Sequence, residues 1–250
     1  CNMSAMLKVK RFIYVCAYLV LRIVSPRHRK QWARLTGEIK RLTPKEKRAL
    51  LLLDPSLAYN NEYFLSDQFE DQNEWSNKIS QVIDKHLKPK SVVDVGCGRG
   101  LFLRHFHEKS IRILGIEGSS SAIKNLVVPK NKIIQTDLRN VFQKTNARKY
   151  DIAISFEVAE HLEREFAGVF VYNLTTLSNT ILFTAAHPGW SIPHPHHPNE
   201  QPYEYWDTLF EFYGYKEDTK TTNRLRRELA KLHLPLNVSH YSDVKVYKKR

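Results

Sequence analysis

The chain has 250 residues, 42% of them hydrophobic and 11% aromatic, which is enough to build one α/β domain with a hydrophobic core and an appendage. Its three cysteines, Cys1, Cys16 and Cys97, show no paired spacing. This spacing indicates neither a disulfide framework nor a zinc ribbon, and it favours a reducing, cytoplasmic compartment.

The formal net charge of +13 is unevenly distributed along the chain. Residues 1–50 hold 13 Lys or Arg against two acids, a net +11, whereas the other 200 residues hold 26 basic and 24 acidic side chains, a net +2. A domain so close to neutrality is not an obvious polyanion binder, so the sequence assigns the excess charge to the N-terminal segment.

Residues 12–21 are apolar or aromatic without interruption, and basic residues flank them on both sides. Ten residues are too few to span a bilayer, which takes about 20. Three interpretations stay open: a helix packed on the domain or on a second copy, a helix lying on an anionic membrane surface, and a secretory signal that lacks a cleavage site.

Two helices are predicted before the main domain's first strand. Thr43, Pro44 and Glu46 fit a capping box with proline at the first helical position, which predicts a short helix up to Leu53. Apolar spacing predicts a longer helix over residues 68–87. We place the boundary at residue 60, so that residues 1–59 form a basic, partly apolar helical extension and residues 60–250 form the main domain.

Residues 91–101, SVVDVGCGRGL, are the centre of this domain. A short apolar run predicts a buried parallel strand, and the glycines after it predict a turn before a helix begins. The spacing is Asp-x-Gly-x-Gly-x-Gly from Asp94 through Gly96 and Gly98 to Gly100. A dinucleotide fingerprint would need glycine at 101, where the chain has Leu101. Such a turn lets a ligand approach the backbone closely.

The periodicity beyond this turn alternates between strands and helices, which predicts a doubly wound α/β fold with a mostly parallel, seven-stranded sheet. The predicted strands cover residues 111–117, 132–138, 150–156 and 181–185, with an edge strand at 244–247. The predicted helices cover residues 119–126, 166–177 and 202–213.

Acidic side chains follow three of the predicted strands. Glu117 ends the second strand and Asp137 ends the third. After the fourth strand, Glu157, Glu160 and His161 are spaced i, i+3, i+4, so on a helix they would share one face. Two carboxylates and an imidazole suit a divalent metal, or a general base with its orienting partner.

The stretch after the fifth strand, HPGWSIPHPHHPNEQPYEYW, concentrates histidines, prolines and aromatic residues. Ligands in open α/β sheets lie beyond the carboxyl ends of the strands, so this loop is predicted to cover one. Its polar candidates are His187, His194, His196, His197, Asn199, Glu200 and Gln201, and its aromatic walls are Trp190, Tyr203, Tyr205 and Trp206.

Together, DVGCGRG, GIEGS, TDLR, SFEVAEHL, LFTAA and HPNEQPYEYW resemble class I S-adenosylmethionine-dependent methyltransferases with a Rossmann-like fold. The resemblance covers about residues 60–215. It implies that Glu117 accepts the ribose hydroxyls, that Asp137 meets the adenine beside Leu138, and that Asp94 lies at the methionine end. The resemblance implies Asp94, Gly96, Gly98, Glu117 and Asp137 as cofactor residues, and it places His197, Asn199, Glu200 and Gln201 at the acceptor site. The predicted cofactor set also includes Gly100, Leu138 and Glu157. The predicted catalytic residues are His161, His197 and Glu160, and the predicted acceptor residues also include His194, His196, Tyr205 and Trp206.

The sequence therefore predicts methyl transfer from S-adenosylmethionine to a hydroxyl of a small molecule, a glycan or a lipid-linked compound, by a cytoplasmic enzyme that can be peripheral at a membrane. The alternative resembles small-RNA 3′-terminal 2′-O-methyltransferases, in which Glu157, Glu160, His161 and a histidine such as His197 would hold a divalent metal. The first interpretation needs no metal and no nucleic acid. A non-catalytic S-adenosylmethionine-binding module is the third, and the oligomeric state stays open.

Overall fold

The computed structural model describes residues 68–142, 149–188, 197–235 and 238–250, with side chains from residue 73 onward. The predicted short helix up to Leu53, the domain boundary and the apolar run at 12–21 lie outside these residues. No helix within the described ranges is long and apolar enough to cross a membrane.

The described residues form seven strands and six α-helices. The strands are β1 Ser91–Val95, β2 Arg112–Glu117, β3 Ile133–Gln135, β4 Ile152–Phe156, β5 Thr180–Thr184, β6 Tyr215–Glu217 and β7 Lys245–Lys249. The helices are α1 Gln68–Leu87, α2 Leu101–Glu108, α3 Ser120–Lys124, α4 Ala167–Leu177, α5 Tyr203–Phe212 and α6 Thr219–Ala230.

All seven strands join one sheet in the order β3-β2-β1-β4-β5-β7-β6. The pairs from β3 through β5 are parallel, and β7 runs antiparallel to both β5 and β6. The strand order reverses between β1 and β4. In doubly wound folds ligands bind at this switch point, beyond the carboxyl ends of the strands.

Apolar residues alternate between the two faces of the sheet and build a core on each. On one face, Val92 and Ile154 pack with helices α1, α2 and α6. On the other, Val93 and Ala153 pack with α4 and α5. Because successive strand side chains point to opposite faces, strands covered on both sides are apolar at nearly every position.

The predicted fold class is confirmed, with three corrections. The predicted edge strand near the C-terminus is β7, which lies inside the sheet, and the edge position belongs to β6. Neither β6 nor α6 was predicted. The third strand is shorter than predicted, since β3 ends at Gln135. The segment after β4 forms 3₁₀ turns at Ala159–His161 and Arg164–Phe166.

Candidate functional site

The glycine turn after β1 is built around a backbone conformation that suits glycine. Gly96, Gly98 and Gly100 have φ angles of 78°, 53° and 81°, in the left-handed region that other residues rarely adopt. A Cβ on Gly96 would lie 2.5 Å from Cγ2 of Val158. The turn therefore packs directly against the segment that follows β4, and a side chain at Gly96 would separate them.

Glu117 ends β2 and ties this turn to the neighbouring strand. Its Oε2 accepts a hydrogen bond from the Gly98 amide at 2.7 Å, and its Oε1 accepts one from the Ser119 amide at 2.6 Å. Burial raises the pKa of Glu117, and these backbone donors offset part of that rise. Each carboxylate oxygen has two lone pairs, so both retain capacity to accept from a diol.

Asp94 is buried beneath the same turn, with 2% of its surface exposed. Within the described residues no donor reaches its Oδ2. Burial, and then the nearby charge of Glu117, raise the pKa of Asp94 to about 8. A buried carboxyl oxygen without a partner is costly, and an ammonium group at this position would supply the missing donor.

The predicted adenine residues follow β3. Asp137 is exposed and pairs with Arg139, whose Nη2 lies 2.7 Å from Oδ2, and this partner lowers the pKa of Asp137. Leu138 is buried among residues of the α4 face of the sheet. Both residues thus lie at the carboxyl edge, with the Asp137 side chain already engaged by a guanidinium.

Glu157 directly follows β4 and has a φ angle of 56°, a left-handed conformation that is unusual for a residue with a side chain. Its amide donates to the carbonyl and the hydroxyl oxygens of Thr184 at the end of β5, both at 3.2 Å. Backbone strain of this kind is often found at functional sites. Here it turns the chain sharply into the 3₁₀ turn that carries Glu160 and His161.

Glu160 is fully buried, and neither of its carboxyl oxygens has a well-formed hydrogen bond within the described part of the chain. Burial and the neighbouring Glu157 raise the pKa of Glu160 well above its usual range, and the amides of Glu160 and Ala186 offset only part of this rise. The fully buried Glu160 carboxyl therefore favours its neutral form more than an exposed carboxyl does.

Two histidines from distant parts of the chain meet beside Glu160. The rings of His161 and His197 are 4.6 Å apart between centroids and nearly perpendicular, and His161 Nε2 lies 4.0 Å from Glu160 Oε1. Nδ1 of His197 lies 2.9 Å from Oε1 of Glu200. A neutral imidazole that donates Nδ1–H to a carboxylate carries its lone pair on Nε2, so Glu200 orients His197 as a base or a ligand.

The structure thus brings some predicted residues together and places others elsewhere. Ligand atoms of Glu160, His161 and His197 lie within 4.8 Å of one another. Asn199 is buried against the 3₁₀ turn at Ala159–His161. Trp206 is fully buried in the core on Phe183, which corrects its prediction as an acceptor wall. His194, His196 and Trp190 lie outside the described residues.

Two side chains beside this cluster come from the C-terminal part of the domain. His240 lies in the 3₁₀ turn Ser239–Asp243 and is half-buried, and this burial lowers its pKa. Its imidazole also interacts electrostatically with Glu157 and His197. The Tyr203 hydroxyl donates to the Asp243 carbonyl at 3.2 Å. Sequence reasoning missed His240, because it lies in a segment without periodicity or motif.

The donor set fits S-adenosylmethionine. Glu117 offers two oxygens to a diol, and Asp94 offers a buried, unpartnered oxygen to an ammonium. Glu117 thus matches the ribose of this molecule, and Asp94 matches its amino-acid part. Both residues lie beside the glycine turn at the switch point of the sheet.

Comparison with known proteins agrees with this chemistry. The model of a methyltransferase domain family matches residues 67–170. A S-adenosylmethionine-dependent methyltransferase from Archaeoglobus fulgidus aligns with 17% identity over 75% of this chain and 97% of its own, with a TM-score of 0.51. The plantazolicin methyltransferase BpumL, solved with a substrate analogue and S-adenosylhomocysteine, aligns with 19% identity over 86% of this chain and 99% of its own, with a TM-score of 0.50.

The methyltransferase domain of a bacterial Hen1, CtHen1-CN, aligns with 23% identity over 56% of this chain and 86% of its own, with a TM-score of 0.45. No curated protein gives a significant match. The sheet order and the matched domain define the class I methyltransferase fold. Residues 67–170 match a methyltransferase domain, and the chain shares its fold with the S-adenosylmethionine-dependent methyltransferase from Archaeoglobus fulgidus and with BpumL.

Proposed function

We propose that this enzyme methylates a hydroxyl oxygen of an acceptor that binds beyond β4 and β5. The observation that carries this proposal is the pair of imidazoles, His161 and His197, beside Glu160, with Glu200 orienting His197. This cluster adjoins the glycine turn through the contact between Val158 and Gly96. An oriented imidazole next to a methyl donor is suited to remove the proton of a hydroxyl.

We assign the cofactor to the residues around the glycine turn. Glu117 would accept the ribose hydroxyls, Asp94 would meet the ammonium of the methionine end, and Asp137 with Leu138 would lie at the adenine. Gly96, Gly98, Gly100 and Glu157 complete this set. When bound, S-adenosylmethionine supplies an activated methyl group on a sulfonium sulfur.

The protein's own residues then have two tasks, alignment and proton removal. The buried turn and Glu117 hold the donor in place, and such positioning can contribute about 7–11 kcal/mol. His197 takes the acceptor proton on Nε2 while Glu200 stabilises the imidazolium through Nδ1–H. Glu160 lies beside His161, with 4.0 Å between Oε1 and Nε2, and would position that imidazole.

The acceptor class follows from charge. Residues 51–250 carry a net charge of only +2, whereas binding along a nucleic-acid backbone relies on several phosphate contacts with Lys and Arg. A hydroxyl on a small molecule, a glycan or a lipid-linked compound fits this balance. His194, His196, Gln201 and Tyr205 remain candidates for contacts with it.

A second candidate function has one specific observation in its favour, the convergence of Glu160, His161 and His197 with Glu157 next to them. Two carboxylates and two imidazoles fit Mg²⁺, Mn²⁺ or Fe²⁺, and the unpartnered oxygens of Glu160 would gain a cation as partner. A cation there would bind the acceptor oxygen and lower its pKa. This arrangement would suit the terminal ribose of an RNA.

The test is a measurement of S-adenosylhomocysteine release by the full chain with glycan, lipid-linked, peptide and RNA acceptors, with and without a chelator. We expect release with a non-nucleic-acid hydroxyl acceptor and resistance to chelation. His197→Asn should lower the rate by about a hundredfold, the contribution of a general base. His233→Asn, the same change at an exposed histidine, is the control.

Chelator-sensitive methylation of an RNA 3′ end, restored by Mn²⁺, would replace the first candidate with the second. S-adenosylhomocysteine binding without turnover on any acceptor of the panel would favour the non-catalytic module.

A further inference from the structure

The segment after the histidine-rich loop is attached to the 3₁₀ turn that carries Glu160 and His161. The Asn199 amide donates to the Glu160 carbonyl at 3.1 Å. Its side-chain Nδ2 donates to the Ala159 carbonyl at 3.4 Å. Asn199 itself is almost completely buried, with 1% of its surface exposed, so it has no surface left for an acceptor.

A third hydrogen bond supports the Asn199 side chain. Gln201 Nε2 donates to Asn199 Oδ1 at 3.0 Å. The Ala159 carbonyl can only accept, so it assigns the nitrogen of Asn199 to the Ala159 side and leaves the oxygen to accept from Gln201. The Ala159 carbonyl and the Gln201 side chain together therefore require a side-chain amide at position 199.

We propose that Asn199 is a positioning residue that holds His197 against His161 and Glu160. The two histidines are 36 positions apart in the chain, and the hydrogen bonds of Asn199 join their segments directly. The inference rests on the proposed function in one respect, namely that this cluster is the reactive part of the acceptor site. It reassigns Asn199 from binding the acceptor to building the cluster.

The geometry explains why an amide suits this position. The Glu160 carbonyl lies within the short 3₁₀ turn and accepts from the Asn199 backbone N–H, and the Ala159 carbonyl, which already accepts from the Leu162 amide at 3.4 Å, has a second lone pair for an outside donor. The backbone and side-chain N–H groups of one Asn supply both donors from a single point. Two bonds from one residue fix the direction in which the chain leaves, and hence where His197 lies two positions earlier.

The experiment compares Asn199→Ala with Asn179→Ala, the same change at an exposed Asn whose Oδ1 accepts from Lys149. The probes are Co²⁺ alone, followed by absorption, and S-adenosylhomocysteine, followed by calorimetry. We expect Asn199→Ala to weaken Co²⁺ binding at least tenfold and to change the affinity for S-adenosylhomocysteine less than twofold. Asn179→Ala should change neither.

Gln201→Ala is a milder variant that keeps the protein foldable, because Gln201 is only half-buried and the change removes just the bond that orients the Asn199 amide. We expect its effect on Co²⁺ binding to have the same sign and to be smaller. If Asn199→Ala does not fold, this variant decides the question.

Imidazole NMR spectra give a readout that depends on neither metal nor acceptor. The perpendicular contact of the two rings shifts their proton resonances, and we expect these shifts to change in Asn199→Ala and Gln201→Ala while cofactor affinity is kept. Unchanged ring shifts together with unchanged Co²⁺ affinity would overturn the proposal.

If the wild-type chain does not bind Co²⁺, this result contradicts only the metal-dependent candidate function. The NMR shifts of the two imidazole rings would then decide the role of Asn199. An absence of methyl transfer to any acceptor would bear on the proposed function and leave these binding and NMR measurements unaffected.

Discussion

At the scale of single residues, this protein buries three carboxyl groups beneath the carboxyl edge of its sheet. Burial raises the pKa of Asp94, Glu117 and Glu160, while nearby exposed acids such as Asp137 have a lowered pKa beside a cation. Buried acids without cations are expensive to maintain. The concentration of these three acids at one edge of the sheet indicates that cationic or hydrogen-bond-donating ligands bind there.

We expect the affinity for S-adenosylhomocysteine to increase as the pH rises towards 8. In the free protein Asp94 has a pKa of about 8 and is protonated at neutral pH. An ammonium group beside it favours the ionised form, so binding below that pKa must release a proton. The linkage amounts to as much as about a tenfold change in affinity per pH unit.

Calorimetry at several pH values, in buffers of different ionisation enthalpy, measures this proton release. Asp94→Asn should flatten the pH dependence, whereas Asp151→Asn, at an exposed acid, should leave it unchanged. An equal pH dependence in Asp94→Asn and wild type would show that Asp94 does not meet the ammonium.

Glu117→Ala should weaken the binding of S-adenosylhomocysteine at least tenfold, equivalent to a loss of about 1.4 kcal/mol. The substitution removes an acceptor of charge-assisted hydrogen bonds and also releases the amides of Gly98 and Ser119. Calorimetry checks it, with Glu108→Ala at an exposed acid of α2 as the control. An unchanged affinity would refute the ribose assignment.

At the scale of elements, the turn after β1 and the turn after β4 form one unit. Gly96 packs against Val158, and Glu157 before it is hydrogen-bonded to the end of β5. The proposed cofactor side and the proposed acceptor side of the site are therefore in van der Waals contact. A change in one turn must alter the other, because close-packed interiors transmit displacements.

Gly96→Ala should destabilise the protein and weaken cofactor binding. An L-residue at this φ costs about 1–2 kcal/mol, and its Cβ would also overlap the Val158 side chain, for which overpacking costs about 1–3 kcal/mol. Thermal unfolding measures the sum. Adding Val158→Ala should restore the space and recover part of the loss, since only the backbone strain would persist.

Gly168→Ala is the matched control, because Gly168 lies in α4 and an added Cβ would meet nothing closer than the Tyr213 hydroxyl at 3.9 Å. There alanine should stabilise the helix by about 0.5–1 kcal/mol. A Gly96→Ala variant as stable as wild type would contradict the close packing of the two turns.

At the scale of the whole molecule, charge and chemistry are separated along the chain. Residues 1–50 carry +11 of the net +13 and include the apolar run at 12–21, whereas the candidate site lies in the near-neutral remainder. Apolar burial and attraction to anionic headgroups add, at about 1 kcal/mol per Lys or Arg near the surface. We propose that this segment brings the enzyme to an anionic membrane.

We expect the full chain to sediment with anionic liposomes, increasingly so with more anionic lipid and less so with more salt. Removal of residues 1–25 should abolish sedimentation and leave the affinity for S-adenosylhomocysteine unchanged. Neutral liposomes are the control. If the full chain stays in the supernatant at low salt, the segment packs against protein instead.

Much of the cofactor half follows from local sequence. The Asp94-to-Gly100 spacing defines the turn after β1, and the bounds of α1 agree with the predicted 68–87, because an amphipathic helix and a buried strand each impose a period on the sequence. Glu117 also ends β2 as predicted. The parallel strand order then places these residues at one edge without further information.

The acceptor side was decided only by tertiary structure. The left-handed φ of Glu157 leads the chain into a turn, and Asn199 fixes that turn to a segment some 40 residues later. The contact between His161 and His197, and the position of His240 beside them, come from loops whose sequences show no periodicity. Their positions depend on hydrogen bonds and packing between distant segments, which a one-dimensional pattern does not contain.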